Sequence, residues 1–206
     1  NSKKDHTELL FILANAHKIL NDVTKSEGFF KKALLLEPDN FEFLYNYGLL
    51  LHSSSRLNKA TEIFEKAIKL QPDNYELLND IGVLNHIQKK PEDALYFFNE
   101  ALKIKPDYIL ATINTGYEYI EIKDFINAER VIKQLCINNH SNPDVVELKN
   151  RFDASLTQTE MDTVDIETEL SFSDRLFQIS PLMIIKNFGD KKSHQNIGLS
   201  IVIPIC

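Results

Sequence analysis

The chain has 206 residues, of which 43% are hydrophobic and 26% charged, and a formal net charge of −7. That balance suits a soluble, folded protein and excludes the basic surface that nucleic-acid binding needs. Two cysteines, Cys136 and Cys206, imply no disulfide framework, and neither a signal peptide nor an apolar run of membrane-spanning length is present, so a reducing, cytoplasmic location is expected.

Proline recurs at Pro38, Pro72 and Pro106 with one constant spacing, inside the related words Glu37-Pro38-Asp39-Asn40, Gln71-Pro72-Asp73-Asn74 and Lys105-Pro106-Asp107-Tyr108. A fixed period of about 34 residues marks a solenoid of helical hairpins. An unrelated helical bundle has no reason to keep such a period.

The first unit, about 7–40, carries Leu10, Leu13 and Ala14 in one predicted helix and Ser26, Phe30 and Ala33 in the next. In the second, 41–74, Leu44, Tyr47, Gly48 and Leu51 fall on one helical face. Ser53 to Arg56 break that helix, and Ala60, Ile63, Phe64, Ala67 and Ile68 mark the face of another. Gly48 and Ala60 allow close approach of the two helices, and Phe64 fills the space beside them. The third unit, 75–108, repeats the pattern with Leu78, Ile81, Gly82, Ala94, Phe98 and Ala101, and Pro91 opens its second helix. The fourth, 109–142, keeps Gly116, Tyr119, Ala128 and Ile132, then departs: Leu135 replaces alanine and His140 replaces proline.

The Gly, Ala, Phe, Ala, Pro series at this spacing resembles the tetratricopeptide repeat (TPR) family over about residues 7–156. The resemblance implies an all-α fold: a right-handed solenoid of four hairpins closed by a capping helix. Asn142-Pro143-Asp144 reads as the start of that helix, over 143–156, with Val145, Leu148 and Phe152 on its apolar face.

Residues 157–198 read as a linker. Five acids and no Lys or Arg stand between 157 and 170, which leaves the array itself nearly neutral. A short apolar helical segment is expected at about 172–187, interrupted by Pro181. Residues 199–206, Leu-Ser-Ile-Val-Ile-Pro-Ile-Cys, read as a buried strand stopped by Pro204, and a lone strand needs partners. This stub resembles the first strand of family 2 (GT-A) glycosyltransferases, which implies a missing C-terminal domain holding the Asp-X-Asp metal site and the catalytic base. The chain also starts at Asn1 without methionine and reads as an excised fragment.

In TPR proteins the first helix of each hairpin lines a concave groove. The repeat then sorts side chains into rows: Phe11, Tyr45, Asn79, Ile113; Ile12, Asn46, Asp80, Asn114; Asn15, Leu49, Val83, Tyr117; and Lys18, His52, His86, Ile120. The Asn46, Asp80, Asn114 row resembles the asparagine ladder of the O-GlcNAc transferases. A side-chain amide offers donors and an acceptor, so it can pair with a peptide backbone of any sequence. The co-chaperone mode, which grips a terminal carboxylate with Lys, Asn and Arg, is disfavoured by Asp80 and by little positive charge beyond Lys18. Two histidines, His52 and His86, are too few for a closed metal site.

No nucleophile–base pair, phosphate loop or Cys/His cluster is evident, so no catalysis and no cofactor is expected of this fragment. The expected function is a protein–peptide interaction module, the N-terminal TPR region of a glycosyltransferase that recruits an acceptor or partner protein. The alternative is a free-standing TPR scaffold without an enzyme.

Overall fold

The computed structural model describes residues 2–169. Nine α-helices account for almost all of them: α1 Ser2–Ile19, α2 Val23–Leu36, α3 Phe41–Ser53, α4 Leu57–Leu70, α5 Tyr75–Ile87, α6 Pro91–Ile104, α7 Ile109–Glu121, α8 Phe125–Asn139 and α9 Pro143–Glu169. These residues fall into two compact units, divided after Leu135.

Within the first unit the strongest contacts join sequence neighbours, α1 with α2, α3 with α4 and α5 with α6, and each pair leans on the next through α2–α3, α4–α5 and α6–α7. This is the nearest-neighbour packing of a helical-hairpin solenoid. Its core repeats with the sequence. Phe30, Phe64 and Phe98 are all but fully buried, and so are Ala33, Ala67 and Ala101. Each such ring contributes about 1.5–3 kcal/mol through removal from water. Beside the rings stand Ala14, Gly48 and Gly82. A Cβ on Gly48 would lie 2.2 Å from Phe64 Cε1, and one on Gly82 2.5 Å from Phe98 Cε1. The glycines therefore permit close approach, as the sequence implied.

The turn inside each hairpin is the same four times. Asn21, Ser55, Lys89 and Lys123, one in each repeat, have φ of 57–60°, in the left-handed region. Each donates its N–H three residues back, to Lys18, His52, His86 and Ile120. The following N–H, of Asp22, Arg56, Lys90 and Asp124, reaches five residues back to His17, Leu51, Asn85 and Tyr119. This pair of bonds is the Schellman motif, which satisfies carbonyls left over at a helix end. None of the four positions is glycine, which is why composition gave no warning of the conformation.

Between hairpins the caps differ. Asn40 and Asn74 accept from the backbone N–H of Phe43 and Leu77, at 3.3 and 2.8 Å. Tyr108 takes the same place before α7 and makes no side-chain cap.

Two expectations are corrected. The ninth helix does not stop at Leu156 but runs to Glu169, through residues assigned above to a linker. No glycine or proline occurs between Pro143 and Pro181, so loss of apolar period there is not a helix stop. Cys136, from which no disulfide was expected, is half-buried and is not a free thiol. Val145, Leu148 and Phe152 are buried as expected. The apolar segment at 172–187 and the strand at 199–206 lie outside the described residues. Among the described residues no helix is long and apolar enough to cross a membrane.

Candidate peptide-binding face

The first helices of the hairpins, α1, α3, α5 and α7, are tied side by side through polar side chains. Lys18 Nζ donates to Asn46 Oδ1 at 3.2 Å, joining α1 to α3. The Tyr45 hydroxyl donates to Asp80 Oδ2 at 2.7 Å, joining α3 to α5. Asn114 Nδ2 donates to Asn79 Oδ1 at 2.9 Å, joining α5 to α7. His86 Nδ1 lies 2.6 Å from Glu118 Oε2 and gives α5 and α7 a second tie.

The rows read from the repeat hold different depths. The first is mostly floor. Asn79 and Ile113 are buried, and Phe11 packs half-buried on Phe30 and Phe43 with ring centroids 6.1 and 5.0 Å apart, while Tyr45 is half-buried. In the second row Ile12 is exposed, and Asn46, Asp80 and Asn114 are half-buried. These three do not bond to one another. Each is tied instead to a neighbouring first helix, and Asn46 Nδ2 also donates to the Glu42 carbonyl at 2.9 Å. The third row, Asn15, Leu49, Val83 and Tyr117, is half-buried along its length. In the fourth, Lys18, His52 and His86 are half-buried and Ile120 is buried. His86 is thus partnered to Glu118 rather than to His52, and among the described residues no group of three His, Cys, Asp or Glu side chains is placed to hold a metal ion.

Burial sets the electrostatics of this face. It raises the Asp80 carboxyl above the usual range, against the bonds from Tyr45 and Asn79. Burial, then the Asp80 charge and its hydrogen bond, push the Tyr45 phenol up. Burial lowers the Lys18 ammonium.

Three features of the face escaped the sequence reading. Glu8, Glu42 and Glu76 form an exposed acidic row, one in each of the first three repeats, one turn ahead of the ladder row. The period carried that signal. Tyr75 and Tyr108 meet edge to face at 4.9 Å with Lys105 over them, a contact made by residues that depart from the repeat consensus. The cross-repeat ties were the third: the register named their residues but not their pairing. A fourth cluster lies off this face. Glu27 of α2 accepts from Tyr47 of α3 at 2.9 Å, from Arg56 at the start of α4 at 2.6 Å, and from Lys31 at 2.9 Å. Burial opposes its charge, but the bonds from Arg56, Lys31 and Tyr47 prevail and hold the carboxyl at about 2.

Residues 8–74 match the family described as YpiA-like, C-terminal tetratricopeptide repeats, and residues 53–109 match a second tetratricopeptide repeat family. Residues 8–109 carry tetratricopeptide repeats. No curated protein sequence matched the chain. Among solved structures, a tetratricopeptide repeat protein from Parabacteroides merdae aligns over 75% of this chain and 61% of its own length, with TM-score 0.68 and 20% identity. MamA from Desulfovibrio magneticus RS-1 aligns over 66% of this chain and 77% of its own, with TM-score 0.62 and 19% identity. A mutant of the Thermobaculum terrenum O-GlcNAc transferase aligns over 58% and 23%, with TM-score 0.53 and 23% identity. At these identities the likeness is one of fold. The chain spans 61% of the Parabacteroides protein and under a quarter of the transferase. TPR arrays of this kind are protein-interaction folds, and the first-helix face is where this one presents its mixed polar and apolar rows.

Proposed function

We propose that the array binds an extended peptide segment of a partner protein along the face of α1, α3, α5 and α7. The observation that carries this reading is the pairing of two kinds of row on adjacent first helices. Asn46 and Asn114 bear amides held in fixed orientation by Lys18 and Asn79, and each retains capacity beyond the bonds it makes. Leu49, Val83 and Tyr117 run beside them, half-buried and apolar. A peptide laid across the helices would set its backbone on the amides and the side chains of one edge on the apolar row.

The test replaces Asn114 by Ala together with Val83 by Ser. Binding to a panel of immobilised peptides should weaken while the helical circular dichroism signal stays at the wild-type level. Unchanged binding by a folded double variant sinks the assignment of this face.

The finer reading is that the module serves a glycosyltransferase, delivering an acceptor or partner protein to a domain that follows in cis. It is supported by the resemblance of residues 199–206 to a GT-A first strand and by the fold likeness to a TPR-bearing O-GlcNAc transferase. It predicts an Asp-X-Asp motif behind a further strand in the sequence following Cys206, and sugar transfer by that longer protein. A continuation without such a motif leaves the free-standing scaffold as the reading.

A further inference from the structure

Where α3, α5 and the start of α7 come together, the peptide face carries three tyrosines and two carboxylates. The Tyr45 hydroxyl is bonded to Asp80, and Phe41 stacks on the Tyr45 ring at 5.7 Å. The Tyr75 hydroxyl donates to Glu76 Oε1 at 3.4 Å, and its ring meets Tyr108 at 4.9 Å and 73°. Burial and then the charges of Asp80 and Glu76 push both the Tyr45 and Tyr108 phenols up, so both rings sit in the field of the same two acids.

One cation already shows what the site takes. Lys105 Nζ lies 4.6 Å from the Tyr75 centroid and 5.9 Å from that of Tyr108, and donates to the Tyr75 hydroxyl at 3.2 Å. An ammonium over two aromatic faces beside a carboxylate is the arrangement that favours cation–π binding. Lys105 is one positive charge against Glu76 and Asp80, so the cluster keeps a negative balance. The surroundings extend that balance. Glu42 and Glu8 continue the acidic row on the preceding first helices, with Glu8 4.0 Å from the exposed Lys4.

We propose that Tyr45, Tyr75, Tyr108, Glu76 and Asp80 form a subsite for a lysine or arginine side chain of the bound peptide. This rests on the peptide-binding reading above and narrows its ligand to a basic segment. The spacing of the basic residues follows from the helices. Packed helices lie about 8–10 Å apart, and a chain in the polyproline II conformation advances about 3.1 Å per residue and turns every third side chain to the same side. A cation at every third residue therefore meets Glu76, Glu42 and Glu8 in turn. In this arrangement Lys105 competes with the incoming side chain.

The experiment uses three fluorescein-labelled twelve-residue peptides of Ser and Ala, with Lys, with Glu or with no charge at every third position, titrated by fluorescence anisotropy at two salt concentrations. The lysine peptide should bind most tightly and lose affinity as salt rises. Glu76→Gln and Tyr108→Asn should each weaken it roughly fivefold. The second variant supplies the capping residue found in the other repeats, so the fold is kept and thermal melting verifies it. Lys105→Met, which keeps the stem and removes the competing charge, should tighten binding. Equal affinity for the lysine and uncharged peptides, or indifference to Glu76→Gln and Tyr108→Asn, overturns the subsite while leaving the peptide face standing. Absence of binding by all three peptides overturns both.

Discussion

Replacing glycine by alanine should have opposite effects at Gly48 and Gly28, although both lie inside helices. In a helix interior the exchange is worth about 1 kcal/mol in favour of alanine. At Gly28 nothing lies within 4 Å of the new Cβ, so that gain stands undiminished. At Gly48 the new atom would be 2.2 Å from Cε1 and 2.5 Å from Cδ1 of Phe64, a ring 1% exposed. Overpacking a core costs typically about 1–3 kcal/mol, and a contact this short belongs at the upper end. The net is a loss of about 2 kcal/mol at Gly48 against a gain of about 1 at Gly28. The first hairpin shows that the architecture itself admits a Cβ here, for Ala14 occupies this position beside Phe30. There, however, the ring is set against Tyr47 and Phe11, whereas Phe64 has the Tyr45 ring 6.2 Å away. Urea unfolding followed by circular dichroism measures the difference. With a slope of about 2 kcal/mol per molar, the midpoint should fall by about 1 M for Gly48→Ala and rise by about 0.5 M for Gly28→Ala. Midpoints that move together in either direction would refute the packing argument.

Glycine at the left-handed turn positions should act the other way: Ser55→Gly and Lys89→Gly relieve a φ near 60° and should each raise thermal stability by about 1 kcal/mol or less, read as a higher melting temperature. Asn74→Ala removes the cap on the Leu77 N–H and should cost about 1 kcal/mol, measured in the same way. The Glu27 carboxyl is held at about 2 in the folded chain against 4.5 unfolded, so its contribution is present in full above pH 4.5 and drains away between pH 4.5 and 2. Glu27→Gln should therefore destabilise by about 3 kcal/mol at pH 7. The gap from the wild type should close as the pH falls through that window, and a gap independent of pH would remove the ionised carboxylate from the account.

The solenoid was legible because one period governs both its sequence and its packing. Alanine, phenylalanine and proline each recur where a helix pair leaves one volume to fill. The period also placed the face residues in rows. What it withheld was depth and pairing. Asn79 and Asp80 are neighbours in sequence, yet one is buried beneath the face and the other half-buried within it. The ties Lys18–Asn46 and Asn79–Asn114 join positions 28 and 35 residues apart, off the step of the repeat, so no single row contains them. The left-handed turns were hidden for a different reason: serine, lysine and asparagine hold a conformation usually announced by glycine. The tail of α9 was misread because an acidic, aperiodic stretch resembles a linker, although helix needs only the absence of a breaker.

The four identical turns have a consequence for how such a chain changes length. Each closes its hairpin with the same two backbone bonds, whether asparagine, serine or lysine stands at the bend. A hairpin is consequently a self-contained part, and whole units can be duplicated or deleted without altering the joints of those that remain. Partial insertions have no such freedom, because they shift a helix end away from the carbonyls its turn must satisfy. Length variation among relatives should thus come in whole repeats, with recognition of a longer or shorter peptide changing by one helix at a time.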